Sequence, residues 1–170
     1  MSARVVILMG SKSDLPHVQQ IADELKAWGI PYTMHVASAH KSASYVLELV
    51  AHYERMPVVY IAVAGRSNAL AGMLDANTAS PVITCPPISS TFSGADIYSS
   101  LRMPSGVAPT VVLEPRNAAL AAIKMLALSE PALRQRIREH QRKLCDEIIA
   151  ADHELQATFE HTHKNQATHG

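Results

Sequence analysis

Three short polar knots, each at the end of an apolar run, carry most of the reactive side chains of this chain. Gly10-Ser11-Lys12-Ser13-Asp14 follows Val5-Val6-Ile7-Leu8-Met9. Ala37-Ser38-Ala39-His40-Lys41 follows the stretch from Tyr32 to Val36, and Ala64-Gly65-Arg66-Ser67-Asn68 follows the run from Val58 to Val63. In the first knot Gly10 lets the backbone approach a ligand closely. The N–H groups that open the next helix favour an anion. Ser11 and Ser13 add hydroxyls suited to phosphate, and Asp14 suits the paired hydroxyls of a ribose. The pattern is neither a Walker loop nor the glycine spacing of a dinucleotide fold. In the second knot His40 stands directly after a strand, where an imidazole takes and returns protons. Lys41 suits a phosphate as a point charge. In the third, Gly65 permits close approach, Arg66 offers a planar donor fork, and Ser67 or Asn68 caps a helix. Taken singly, each knot also has a plainer reading: a Ser/Asp helix cap, a histidine bonded to a neighbouring carbonyl, a surface arginine beside a cap.

What brings the knots together is the order of the elements around them. Strands are expected at 5–9, 31–36, 58–63, 81–84 and 110–113. A first helix, capped by Ser13 or Asp14 with Pro16 in its opening turn, repeats Val18, Ile21, Ala22 and Leu25 at helical spacing, and Gly29 fits just past its end. Further helices are expected over 42–55, 68–77, 95–103 and 117–128. The 58–63 run shows no alternation, as expected of a strand covered on both faces. Strand-helix alternation of this kind gives a right-handed doubly wound α/β sheet. Five strands suit a flavodoxin-like three-layer sandwich with a parallel sheet. All strand-to-helix turns of such a sheet lie along one edge, where ligands bind, so the three knots are expected to share a pocket. The loop after the fourth strand borders the same edge, and its Ser89, Ser90, Ser93 and Gly94 suit closure over a ligand. Cys85 has no base beside it in sequence and reads as a small buried residue rather than a nucleophile.

The bulk numbers set the class. With 170 residues, 48% of them apolar, the chain fills one full-sized core, and with only 5% aromatics that core is aliphatic. Fifteen basic residues balance 15 acidic ones, so no basic field for nucleic acid exists. No apolar run approaches the roughly 20 residues of a membrane span. Met1-Ser2-Ala3-Arg4 is followed at once by an expected strand, so no signal peptide is expected. Cys85 and Cys145 lack framework spacing and read as reduced thiols in the cytoplasm. From Pro131 to about Leu155 a long helix carries a narrow seam of Leu133, Ile137, Leu144, Ile148 and Leu155 among many charges. So narrow a stripe points to packing on another subunit of a homo-oligomer, the plainer reading being a surface helix on its own domain. A single domain over 1–157, with that helix as its oligomerisation element, and a polar tail over 158–170 are expected. The tail's His161, His163 and His169 read as a solvated end rather than a metal site.

Gly10-Ser-Lys-Ser-Asp14, Ser38-Ala-His40-Lys41 and the stretch from Gly94 through Ala-Asp-Ile-Tyr-Ser-Ser-Leu-Arg-Met-Pro-Ser to Gly106 resemble the phosphoribosylaminoimidazole carboxylase family of purine biosynthesis. The likeness runs from about Val5 to Leu128. One branch of that family is a mutase that moves a carboxyl group within N5-carboxyaminoimidazole ribonucleotide. The other takes carbon dioxide directly onto aminoimidazole ribonucleotide. The mutase branch carries Arg after the histidine of the second knot and a Gly-Gly-Ala-Ala-His type third knot. Lys41 and Ala64-Gly65-Arg66-Ser67-Asn68 match the direct carboxylase instead. The resemblance implies an octamer with active sites at subunit contacts, no metal, biotin or nucleoside triphosphate, and a ribonucleotide and carbon dioxide as substrates. It makes His40 the acid/base. Ser11, Ser13 and Asp14 hold the ribose phosphate end, and Ser38, Lys41 and Arg66 complete the anion site or orient the heterocycle; Gly10, Gly65 and Ser67 are expected among the other substrate-binding residues. Ala64, Ala71, Met73 and the Pro86-Pro87 wall are expected to form a dry niche for carbon dioxide. Of a different class is a non-catalytic nucleotide-sensing module on the same scaffold. A phosphoacceptor domain would want more acid at the first strand end, and a flavin carrier would want aromatics in the knots.

Overall fold

A computed structural model describes the backbone of residues 4–167 and the side chains of residues 4–159. The elements run β1 (Arg4–Met9), α1 (Leu15–Ala27), β2 (Tyr32–Val36), α2 (Ala43–Tyr53), β3 (Val58–Val63), α3 (Ala69–Asp75), β4 (Val82–Thr84), α4 (Tyr98–Leu101), β5 (Thr110–Val111), α5 (Pro115–Leu126) and α6 (Pro131–Ala167). By internal contacts the chain forms two compact units, residues 1–128 and 129–170.

The first unit is the expected three-layer α/β sandwich. Its five strands are parallel in the order β2-β1-β3-β4-β5. β1 lies between two neighbours, with Val5 level with both Tyr32 and Val59. β-branched residues suit a pleated surface, and all six residues of β3 are buried. Its even positions, Val58, Tyr60 and Ala62, join Val6 and Leu8 of β1 in one core with Val46, Leu49, Val50 and Tyr53 of α2 and Leu70, Ala71 and Leu74 of α3. The odd positions, Val5, Ile7, Val59 and Ile61, are as deeply buried on the other face. There α1 and α5 pack on each other, and Ala118, Ala119 and Ala122 present only methyl groups, so the helices approach closely. Each Val, Leu or Ile removed from water in these layers contributes roughly 1.5–3 kcal/mol.

Several element ends differ from the expected ones, each for a local reason. α5 begins at Pro115, not Asn117, because the Glu114 carboxylate accepts from the Asn117 N–H at 2.7 Å and Pro115 needs no donor at the first helical position. β5 is shorter than 110–113, although the Val112 N–H still donates to the Thr84 carbonyl at 3.0 Å. The helix expected over 95–103 divides into a 3-10 turn at Ala95–Ile97 and the single turn of α4, which ends as Arg102 turns extended. In the second unit α6 continues to Ala167, past Leu155, and Pro131 is its only proline or glycine. On it Leu144, Ile148 and Leu155 are exposed. The side chains of His161 and His163, and all of His169, lie outside the described residues.

Candidate active site

All three knots leave the carboxyl ends of adjacent strands at one level, because the sheet's hydrogen-bond ladder extends into them. The Gly10 N–H donates to the Val63 carbonyl and the Ala37 N–H to the Met9 carbonyl, each at 2.9 Å. The Cys85 N–H donates to the Ala62 carbonyl at 2.8 Å. Above this edge lies a cleft of about 610 Å³, within the size range of small-molecule sites. Gly10, Ser11, Ser13, Asp14, Ser38, His40, Lys41, Gly65, Arg66 and Ser67 all line it, joined by Ala39, Ala64, Leu70, Pro87, Ile88 and Ser89.

The first knot folds on itself. Ser11, not Ser13 or Asp14, is the residue whose side chain caps: its Oγ accepts from the Ser13 N–H at 3.3 Å and from the Ser13 hydroxyl at 2.9 Å. Asp14 reaches back to accept from the Ser11 N–H at 3.0 Å and makes no side-chain cap on α1. Burial raises the Asp14 pKa above its usual value; the Ser11 N–H, His17 and Arg66 pull it down. Arg66 of the third knot thus acts electrostatically on Asp14 of the first, a direct sign of their convergence.

In the second knot the Ser42 hydroxyl accepts from the Ser38 N–H at 3.0 Å and donates to the Ser38 carbonyl at 3.2 Å. This closed turn leaves His40 and Lys41 exposed at the cleft. In the third knot Asn68 caps α3, its Oδ1 accepting from the Ala71 N–H at 3.4 Å. The buried Asn68 amide donates to the Thr84 hydroxyl and, at 2.8 Å, to that of Ser100. Arg66 has a left-handed backbone, φ 59°. Its N–H donates to Asp96 Oδ2 at 3.0 Å, and its carbonyl accepts from the Ser99 hydroxyl at 3.0 Å.

Sequence reasoning missed His17. Its Nε2 stands 3.4 Å from the Cys85 sulfur, and the charges of Asp14 and Glu114 act on it. The pair is 68 residues apart in sequence, so no local pattern reveals it. It does not make Cys85 a nucleophile: burial, and then Glu114, pushes the thiol pKa up to about 12, so the group is neutral near pH 7. The niche expectation needs correction in part. Ala64 and Pro87 line the cleft, but Ala71, on the inner face of α3, is fully buried in the core and Met73 packs against that core. Leu70 takes the place at the wall.

A parallel doubly wound sheet whose carboxyl edge holds a polar cleft with hydroxyls, cations and one exposed imidazole has the form of a small-molecule site in an α/β protein. Residues 4–147 match the AIR carboxylase family, and the chain belongs to that family of purine-biosynthesis enzymes. A phosphoribosylaminoimidazole carboxylase of Archaeoglobus fulgidus is 53% identical over 152 residues, covering 89% of this chain and 84% of its own. One of Treponema denticola is 46% identical over 153 residues, covering 89% and 96%. The crystal structure of Treponema denticola PurE superposes with a TM-score of 0.87 at 46% identity, over 90% of this chain and 98% of that one.

Proposed function

We propose that this enzyme adds carbon dioxide directly to 5-aminoimidazole ribonucleotide, forming 4-carboxy-5-aminoimidazole ribonucleotide. The observation that carries the reading is the meeting of the three knots at one cleft. Aminoimidazole ribonucleotide is an electron-rich enamine. Its ring carbon beside the amine-bearing carbon attacks carbon dioxide, and a carbon–carbon bond forms. The ring proton at that carbon then leaves to His40, and its bonding pair restores the aromatic ring; one proton is released and nothing is oxidised.

Ser11, Ser13 and Lys41 hold the phosphate, with the Gly10 backbone close against it, and Asp14 accepts from the ribose hydroxyls. Ser38, Gly65 and Ser67 orient the heterocycle, and Arg66 meets the new carboxylate. Holding both reactants in contact supplies several kcal/mol, up to roughly 7–11 in ideal cases. Proton removal by a placed base adds about 10²–10⁴ in rate. Lys41 and the Ala64-Gly65-Arg66-Ser67-Asn68 knot favour the direct branch over the mutase. The same likeness supports a cytoplasmic homo-octamer without metal or organic cofactor, with α6 among its contacts.

Purified protein given aminoimidazole ribonucleotide and bicarbonate without ATP should form the carboxylated product and leave the N5-carboxylated isomer unconverted. Conversion of the isomer would assign the mutase reaction; inertness toward both would favour the non-catalytic binding module. His40→Asn should bind the nucleotide with a Kd near wild type while kcat falls by about 10²–10⁴. If most of the rate survives, the base lies elsewhere.

A further inference from the structure

We propose that Asp96, together with Ser99, is a positioning residue that locks Arg66 in its left-handed backbone and so aims the third knot into the cleft. The kinetic consequence rests on the carboxylase reading above, while the clamp itself is a matter of geometry. Neither residue lines the cleft. A left-handed backbone is strained for a residue with a side chain and persists where its surroundings over-determine it. At Arg66, φ 59°, the determinants are visible. The N–H is held by the Asp96 carboxylate at 3.0 Å, a charge-assisted bond. The carbonyl is held at 3.0 Å by the Ser99 hydroxyl, which also lies 2.8 Å from the Asp96 carbonyl and accepts from the Asn68 N–H at 3.1 Å. Both backbone polar groups of Arg66 are therefore tied to one short segment about thirty residues away.

That segment has its own fixed entry. Ser93, φ 49°, and Gly94, φ 80°, turn the chain, and the 3-10 turn from Ala95 presents Asp96 under the knot. A Cβ placed on Gly65 would stand 3.9 Å from the same Asp96 oxygen and 3.4 Å from the Pro87 carbonyl, so the knot is wedged between two loops. With the clamp removed, Arg66 relaxes to an ordinary backbone, and its guanidinium and the Gly65 peptide leave their places at the cleft.

The test pairs hydrogen-exchange mass spectrometry of the peptide containing Arg66 with steady-state kinetics on the full chain. In Asp96→Ala, exchange at that peptide should quicken and KM for aminoimidazole ribonucleotide should rise about ten-fold or more. Asp96→Asn, whose amide oxygen accepts the same bond, should restore most of both. In an Arg66→Gly background, where glycine adopts the left-handed backbone unaided, adding Asp96→Ala should change KM less than about two-fold. Unaltered exchange in Asp96→Ala would overturn the clamp. Quickened exchange with unaltered KM, or a full additive loss in the double variant, would overturn its role at the cleft. Should Asp96→Ala fail to fold, Ser99→Ala carries the same comparison. If the wild type does not turn over the nucleotide at all, the carboxylase reading fails, and exchange still decides the clamp.

Discussion

His17 links the site to the stability of the fold. It stands on the first turn of α1, half-buried, against Cys85. Burial holds its pKa below the ordinary 6.5, against upward pulls from the Cys85 backbone, Asp14 and Glu114. A histidine with a lowered folded pKa favours the folded state above its unfolded value and loses that advantage as pH falls through the folded one, because the unfolded chain takes the proton first. His35, lowered by burial and by His52, has the same sign. Asp14, raised from 3.8 chiefly by burial, has the opposite sign at lower pH: its contribution is complete below that value and fades as pH rises through the folded one. The melting temperature should therefore fall on acidification from about pH 7 to about pH 5. His17→Gln should flatten that decline in differential scanning calorimetry. A variant curve parallel to wild type's would remove His17 as a cause. At this scale the knots were legible, because Gly, Ser, Lys, His and Arg at strand ends have few structural uses in such density. His17 and Asp96 were not, because each acts on a residue about thirty or more positions away.

The element that most depends on non-local polar contacts is α3. It is seven residues long, too short to stand on helix propensity alone. Asn68 caps it and, from a buried position, ties it to β4 through Thr84 and to α4 through Ser100. Asn68→Ala removes a cap worth about 1 kcal/mol and leaves two buried hydroxyls short of a donor. The expected loss is about 2–3 kcal/mol, read as a lower urea midpoint at unchanged slope. A loss below about 0.5 kcal/mol would mean that the network is dispensable. Strand and helix identities were readable from the period of the apolar residues, as in the wholly buried β3 and the Val18-Ile21-Ala22-Leu25 stripe of α1. Their ends were not: Glu114 capping extends α5 by two residues, and extended Arg102 stops α4 early.

For the molecule as a whole, the first unit exposes Ile88, Phe92, Tyr98 and Leu101 within one fourteen-residue stretch, each more than half accessible. The octamer proposed above predicts that sedimentation equilibrium at micromolar chain concentration will report eight chains of 18.4 kDa. A monomer at that concentration would discard it. Among the described residues no helix is long and apolar enough to cross a membrane. The sequence by itself determined the layered α/β architecture, the strand count and the three polar turns, because apolar period and turn chemistry are local properties written every few residues. The same strand-helix alternation placed these turns along one edge, and the structure shows the cleft they share. Tertiary structure alone decided that Cys85 meets His17 and that Arg66 is held from Asp96 and Ser99. Those contacts join residues 30 to 68 positions apart, and local sequence carries no signal of them.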